Sequence, residues 1–157
     1  MALCLQLRRL QAEHQRWLAQ SGRRRSEPDA AWTARVLALW ETEIVAHLRV
    51  EEEVLLPELS RRIPESDAVL VFTLGDHVVL RRMARELRSA WPGEQATLLL
   101  EFTARLAEHA AFEERTLFPI LQEHLGTAGL ARFESELVSE RARAGAAAKG
   151  PRRRSTK

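Results

Sequence analysis

The sequence predicts an all-α protein: an antiparallel up-down-up-down four-helix bundle with a short fifth helix at its C-terminal side. Three observations carry that prediction. Apolar residues recur at spacings of three and four along most of the chain. Strand-like alternation is nearly absent, since Val69-Leu70-Val71-Phe72, the β-leaning run, lies inside a helical pattern. The breaks between periodic segments are only a few residues long, which makes consecutive helices antiparallel neighbours.

Leu3, Leu7, Leu10, His14 and Trp17 form one stripe of a first helix, which ends at Ser21-Gly22-Arg23-Arg24-Arg25 with Gly22 as the expected cap. Ser26-Glu27-Pro28-Asp29 is a helix start, with proline and acids in the first turn. The second stripe is Trp32, Val36, Leu39/Trp40, Glu43, His47, Val50 and Val54, and this helix is expected to reach about Ile63. A third helix is expected from near Pro64 to Trp91, using Leu70, Leu74, His77, Leu80, Ala84 and Leu87. Pro92-Gly93 turns the chain into a fourth, through Leu98, Phe102, Leu106, His109, Phe112 and Leu117 to about His124. Gly126 ends it and leaves a shorter helix over about 128–143. Pro57 and Pro119 fall late in their helices and should kink them, each removing one backbone hydrogen bond.

Composition narrows the function classes. The 157 residues, 45% hydrophobic and 29% charged, fit one globular domain with a single core. No apolar run approaches the roughly 18–20 residues that cross a bilayer, and Arg8-Arg9 follow Met1-Ala2-Leu3-Cys4-Leu5 too soon for a secretory leader. A lone Cys4 makes no internal disulfide, which points to a reducing cytoplasm. Membrane spans, disulfide scaffolds and multidomain enzymes are excluded on these grounds.

The net charge of +2 hides a division: residues 1–140 net −5, whereas residues 141–157 hold seven basic residues and no acid, netting +7. The expected organisation is a bundle over 1–125, an accessory helix over 126–143 and a flexible basic tail over 144–157. The tail is expected to solubilise the chain, with nucleic acid a partner only through weak contact there.

The histidines occupy positions where leucines are expected. His14, His47, His77 and His109 each lie on an apolar stripe, one per long helix. In a four-helix bundle such positions meet at one level, and converging neutral imidazoles lack acceptors that a metal ion replaces. Glu51 follows His47 and Glu113 follows His109 at i+4, on the same helix face. An internal repeat sharpens the pattern. Residues 47–59 align without gaps on residues 109–121, and six of thirteen positions are identical (His, Glu, Glu, Leu, Pro and Leu). The offset is 62, and His14 and His77 stand 63 apart. Each half is thus a helix with one His followed by a helix with His-x3-Glu. Two such hairpins about a pseudo-twofold axis bring two half-sites face to face: two metals, each held by two imidazoles, with both carboxylates bridging. Imidazole with carboxylate suits iron, then manganese or zinc. The Glu-x-x-His of ferritin-type sites and the His-Glu-x-x-His of zinc proteases are absent.

The paired His-x3-Glu-Glu-x2-Leu-x-Pro-x-Leu segments, with single histidines on the alternate helices, resemble the hemerythrin-like (HHE cation-binding) proteins over about residues 3–125. The resemblance implies a non-haem di-iron centre, two Fe ions with an oxo or hydroxo bridge, in an antiparallel bundle. His14, His47, His77 and His109 match the family's histidine ligands, and Glu51 and Glu113 its bridging carboxylates. Oxygen-carrying members have a further His one turn along the third helix, where this chain has Arg81. The expected function is therefore binding of a small ligand (O2, NO or peroxide) for sensing or redox chemistry rather than O2 transport. A di-iron oxidoreductase acting on peroxide or NO is one form of it. The alternatives are iron storage or delivery without catalysis, and a metal-free helical interaction module.

Other groups have bland expectations. Glu43, on the second stripe, pairs with Arg81, serves as an extra metal ligand, or lies at a bundle edge with Arg81 turned outward. Glu52, Glu53 and Glu114 are expected to face water, and His124 to sit at a helix end on the surface. Trp17 and Trp40 are expected to pack near the centre and shield it. With no Tyr in the chain, a tyrosyl-radical mechanism is excluded.

Overall fold

The computed structural model describes residues 3–24 and 29–148, and every regular element among them is helical. Helix α1 is Leu5–Ser21. Helix α2 covers residues 29–60 as consecutive turns: Asp29–Leu39, Trp40–Ile44, Val45–Val50, Glu51–Leu55 and Leu56–Ser60. Helix α3 is Ala68–Ser89. Helix α4 covers residues 95–125, through Gln95–Phe112, Glu113–Leu117 and the beginning of Phe118–Ala148. Gly126, at φ 58° and ψ −176°, interrupts that last span, and residues 127–148 form α5.

The ends differ from expectation for local reasons. Helix α2 stops at Ser60, short of Ile63. Helix α3 starts at Ala68 rather than near Pro64, because the Asp67 carboxylate accepts from the Val69 amide at 2.9 Å and caps the helix there. Helix α5 runs to Ala148, past the boundary expected at 143, through Ala144 and Ala146 to Ala148, the best helix formers. The expected helix start at 26–28 and most of the basic tail lie outside the described residues.

Side chains of one helix satisfy the ends of the next. The Trp32 indole donates to the Ser21 carbonyl at 2.7 Å, and Arg35 donates to the carbonyls of Gln20 and Gly22. These are carbonyls that the last turn of α1 cannot pair internally, so α2 closes α1. The Cys4 amide donates to Gln122 Oε1 at 2.7 Å, tying the start of α1 to α4. Trp40 meets Phe102 edge-on across α2 and α4, and Phe72 meets Phe112 across α3 and α4 at 4.3 Å between centroids.

The prolines act by widening their helices. Residues Glu51–Leu55 and Glu113–Leu117 are π-helical, and the Glu51 and Glu113 carbonyls accept from the amides of Leu56 and Phe118, five residues on. Pro57 and Pro119 lie two residues beyond these turns, where a proline has no N–H and its ring excludes the carbonyl four residues back. The wide turn accommodates both defects, and it occurs at equivalent positions of the internal repeat. A third π turn, Trp40–Ile44, has no counterpart in α4.

Two apolar clusters fill the helical bundle. One gathers Leu7, Leu10, Leu55, Leu59, Leu70, Phe118 and Leu121 with their neighbours; the other gathers Trp17, Trp32, Ile44, Leu80, Leu87, Leu99 and Phe102 with theirs. Leu74, expected on the inward stripe of α3, is 45% exposed. Thr73 and Asp76 hold the inward positions instead, with Thr73 Oγ1 donating to the Val69 carbonyl at 2.7 Å. No helix among the described residues is long and apolar enough to cross a membrane.

Gly126 adopts a conformation that L side chains rarely take. Gly126→Ala is expected to cost about 1–3 kcal/mol at the α4–α5 junction, measurable as a lower urea midpoint.

Candidate metal centre

Four helices each bring one imidazole to the layer between the apolar clusters. His14 comes from α1, His47 from α2, His77 from α3 and His109 from α4, and none is more than 3% exposed. Glu51 and Glu113, at the first positions of the two π turns, are fully buried among them. The spacing of four places each carboxylate one turn from its own helix's histidine: Glu51 Oε1 is 3.1 Å from His47 Nε2, and Glu113 Oε1 is 3.0 Å from His109 Nε2.

Each carboxylate also reaches the opposite hairpin. Glu51 Oε2 lies 3.4 Å from His77 Nε2, and Glu113 Oε2 lies 3.2 Å from His14 Nε2. Two overlapping groups result, His14-His47-Glu51-Glu113 and Glu51-His77-His109-Glu113, and within each the candidate ligand atoms lie within 4.8 Å of one another. All six residues singled out in the sequence therefore converge, two imidazoles to a group, with both carboxylates common to the two groups.

The family model of the hemerythrin HHE cation binding domain matches residues 5–121, which takes in all six residues. The chain belongs to the hemerythrin HHE cation-binding family. Comparison with curated proteins and with solved structures finds no match.

Whether this HHE domain's residues suit a cation is decided by the buried polar atoms. Glu51 Oε2, His77 Nε2, His109 Nε2 and both oxygens of Glu113 are buried without an aligned hydrogen-bond partner. Buried polar atoms are ordinarily paired, and five orphans in one cluster of lone-pair donors fit a cation. The outward ring nitrogens are, by contrast, all engaged. His14 Nδ1 meets Glu114 Oε1 at 3.1 Å, His47 Nδ1 meets Glu13 Oε2 at 2.8 Å, His77 Nδ1 meets Glu52 Oε1 at 3.0 Å, and His109 Nδ1 meets Asp76 Oδ2 at 2.9 Å. A proton on each Nδ1 donated to its carboxylate leaves Nε2 with the lone pair that faces the centre.

These four outer carboxylates close a ring around the bundle: α1 supports α2, α2 supports α3, α3 supports α4, and α4 supports α1. Sequence reasoning missed them, and it placed Glu52 and Glu114 in water. Both are only partly exposed because each caps an imidazole on a neighbouring helix. The signal was present: Glu13-His14 and Asp76-His77 repeat at an offset of 63, and Glu51-Glu52 and Glu113-Glu114 at 62. Glu53, as expected, faces solvent and pairs with Arg49.

Glu43 and Arg81 do not meet. Glu43 pairs with Arg16 at 2.8 Å, partly exposed and outside both groups, so neither active role expected of it holds. Arg81 instead clamps Glu52, its Nη2 lying 2.8 and 2.9 Å from the two oxygens. Arg105 holds Asp76 through Nε and Nη2 on the single oxygen Oδ1, and Gln11 donates to Glu114 at 2.9 Å. Trp17, fully buried, packs on the rings of His14 and His47, with Phe118 stacked on His14. The expected shielding role of Trp17 is met; Trp40 lies in the apolar cluster against Phe102.

With only the chain's own charges present, the Glu51 and Glu113 carboxylates favour the charged form of His77 and His109. Burial works against a charged His77, yet Glu113, Glu51 and Glu52 outweigh it and push its pKa up to about 11. Burial likewise opposes a charged His109, and Glu113 and Asp76 carry it up to about 9. Burial would raise Glu113, but His109, His14 and His77 hold it well below the usual 4.5. Glu51 is lowered too, against burial and Glu113, by His47 and His77.

The signs fix a pH window for chelator-treated protein. Raised histidines contribute stability that is complete below 6.5 and is lost as pH climbs through about 9 and about 11. Lowered glutamates contribute stability that is complete above 4.5 and is lost on acidification. Urea midpoints across pH are expected to peak between those limits and to fall on both sides; a flat profile from neutral to alkaline pH would count against this electrostatic network.

Proposed function

We propose that this HHE domain is a cytoplasmic non-haem di-iron protein built as an antiparallel four-helix bundle with α5 as an accessory. His14 and His47 would hold one iron, His77 and His109 the other, and Glu51 and Glu113 would bridge them. The carrying observation is the contrast within each imidazole: every Nδ1 is anchored to a carboxylate while Nε2 turns inward with the orphaned oxygens. Imidazole and carboxylate donors without thiolate suit iron, with manganese or zinc less favoured. A bound pair of irons supplies reversible one-electron chemistry and open positions for a small exogenous ligand.

The chain's own residues set what that ligand can be. All six inner residues are at most 3% exposed, with Trp17 of one apolar cluster and Phe118 of the other packed on His14, so access is restricted to species the size of O2, NO or peroxide. Arg81 stands where oxygen carriers have another histidine; its guanidinium is engaged with Glu52, and an always-protonated group offers no lone pair. Each half-site is thus left with two imidazoles and shares two carboxylates. That emptier ligand set favours sensing or redox turnover over reversible O2 storage. The outer carboxylates keep the imidazoles oriented and accept the Nδ1 protons, so the centre remains shaped when its charge changes.

Protein purified with iron is expected to contain about two irons per chain and to show near-ultraviolet charge-transfer absorption that differs between aerobic and anaerobic preparations. His47→Ala or His109→Ala should sharply lower metal content and thermal stability together. Metal content unchanged by either substitution, or one metal per chain at saturation, would overturn the dinuclear assignment. Asp76→Asn, which keeps the shape but weakens the anchor on His109, should lower iron affinity by roughly 10–100-fold. Because His77 and His109 must shed protons to ligate, loading at neutral pH is expected to release protons, seen calorimetrically as a binding heat that varies with the buffer's ionisation enthalpy. Steady turnover of peroxide or NO by loaded protein would support redox chemistry; rapid iron loss to a weak chelator without turnover would support storage or delivery.

A further inference from the structure

Helix α3 is inside-out over its first three turns. Between Ala68 and Leu80 the charged or titratable residues are Asp76 and His77, and both are buried in the metal centre. Its outward side carries Val71 (58% exposed), Phe72 (45%), Leu74 (45%) and Val78 (67%), with Ala68 and Gly75 also exposed. Val71, Leu74 and Val78 fall at i, i+3 and i+7, one continuous stripe along the helix. A soluble chain exposes scattered apolar side chains, but an uninterrupted apolar stripe marks a surface that another surface covers.

What covers it is indicated by the pattern along α3. A side chain built at Gly75 would meet nothing within 4 Å, so the stripe has an open notch at its centre, directly beside the protruding Leu74. On the helix face of the stripe an acid, Asp67, stands one turn before it and a base, Arg82, one turn after it, the latter paired with Glu86 of its own helix at 2.6 Å. Such a face is complementary to itself when reversed. An antiparallel pair of α3 helices about a twofold axis between positions 74 and 75 sets Leu74 of each copy over Gly75 of the other. The same axis sets Val71 over Val78 and Asp67 opposite Arg82. Isologous contacts of this kind are what a twofold dimer requires. Parallel pairing would stack acid on acid and base on base.

We infer that the α3 face is a homodimer interface, with a second copy of this chain as its occupant. The 22-residue helix is ~33 Å long, so its apolar band offers the second copy one helix face several turns in length. A contact confined to one helix face is the kind that forms a concentration-dependent dimer rather than an obligate one. The two metal centres would lie back to back across the paired helices, since Asp76 and His77 occupy the opposite side of the same turns. Nothing in the pairing depends on which metal is bound.

Sedimentation equilibrium of the full chain, as purified, from about 1 µM to about 1 mM tests this. A monomer–dimer equilibrium is expected, weakened at least about tenfold by Val78→Glu and by Gly75→Trp, and weakened by Arg82→Glu, which faces Asp67 of the other copy with a like charge. Gly75→Ala, too small to fill the notch, should keep the dimer, and circular dichroism should show full helicity in every variant. A chain that stays monomeric over the whole range overturns the assignment, as does a dimer indifferent to both Val78→Glu and Gly75→Trp. Monomeric protein that co-floats with phosphatidylcholine vesicles and is released by Val78→Glu also overturns it, by making a lipid surface the occupant.

Discussion

Everything in this molecule is arranged around a polar layer that an apolar core would not tolerate unpaired. Two fully buried carboxylates and four imidazoles occupy one level, with an apolar cluster on either side. Burying one carboxylate costs several kcal/mol unless its charge is met. The outer ring of Glu13, Glu52, Asp76 and Glu114 resolves this by holding each imidazole at the nitrogen that points away from the centre. Because each outer carboxylate comes from the helix before the one it supports, the ring also fixes how the four helices sit side by side. The same hydrogen bonds thus set the fold's register and the chemistry of the site.

Much of this was legible in the sequence because the layer interrupts an otherwise regular apolar pattern. His14, His47, His77 and His109 stood out as misfits on leucine stripes, and the repeat at 62 residues tied Glu51 to Glu113. Helix α3 was harder. Its stripe through Leu70, Leu74 and His77 counts apolar residues, whereas the true inward face includes Thr73 and Asp76, polar groups that a hydrophobicity pattern assigns to solvent. The outer carboxylates were hidden by the same rule, since an acid adjacent to a ligand in sequence falls on a different helix face. Only knowledge of which helix lies alongside could show that Glu52 reaches His77 rather than water.

The pseudo-twofold relation is close at the inner residues and relaxed at the periphery. Equivalent acids Glu52 and Glu114 have unlike supports, the Arg81 guanidinium in one case and the neutral Gln11 amide in the other. At the pair of equivalent positions 43 and 105, the first is an acid bound to Arg16 and the second is an arginine bound to Asp76. A guanidinium draws electron density from its carboxylate, which then supports its imidazole less strongly than an amide-bound carboxylate does. The two similar hairpins thus present the same inner imidazoles and carboxylates in different electrostatic surroundings.

That divergence bears on α3 most directly. Over these turns Asp76 and His77 take inward positions beside Val69, Leu70 and Leu80, while Val71, Leu74 and Val78 stand outside. An ordinary bundle helix would reverse this polarity at no cost to its fold, but here reversal would remove one imidazole and the anchor of another. The exposed apolar face lies on the other side of the same turns from Asp76 and His77, so a second copy can cover it without altering a single inner residue.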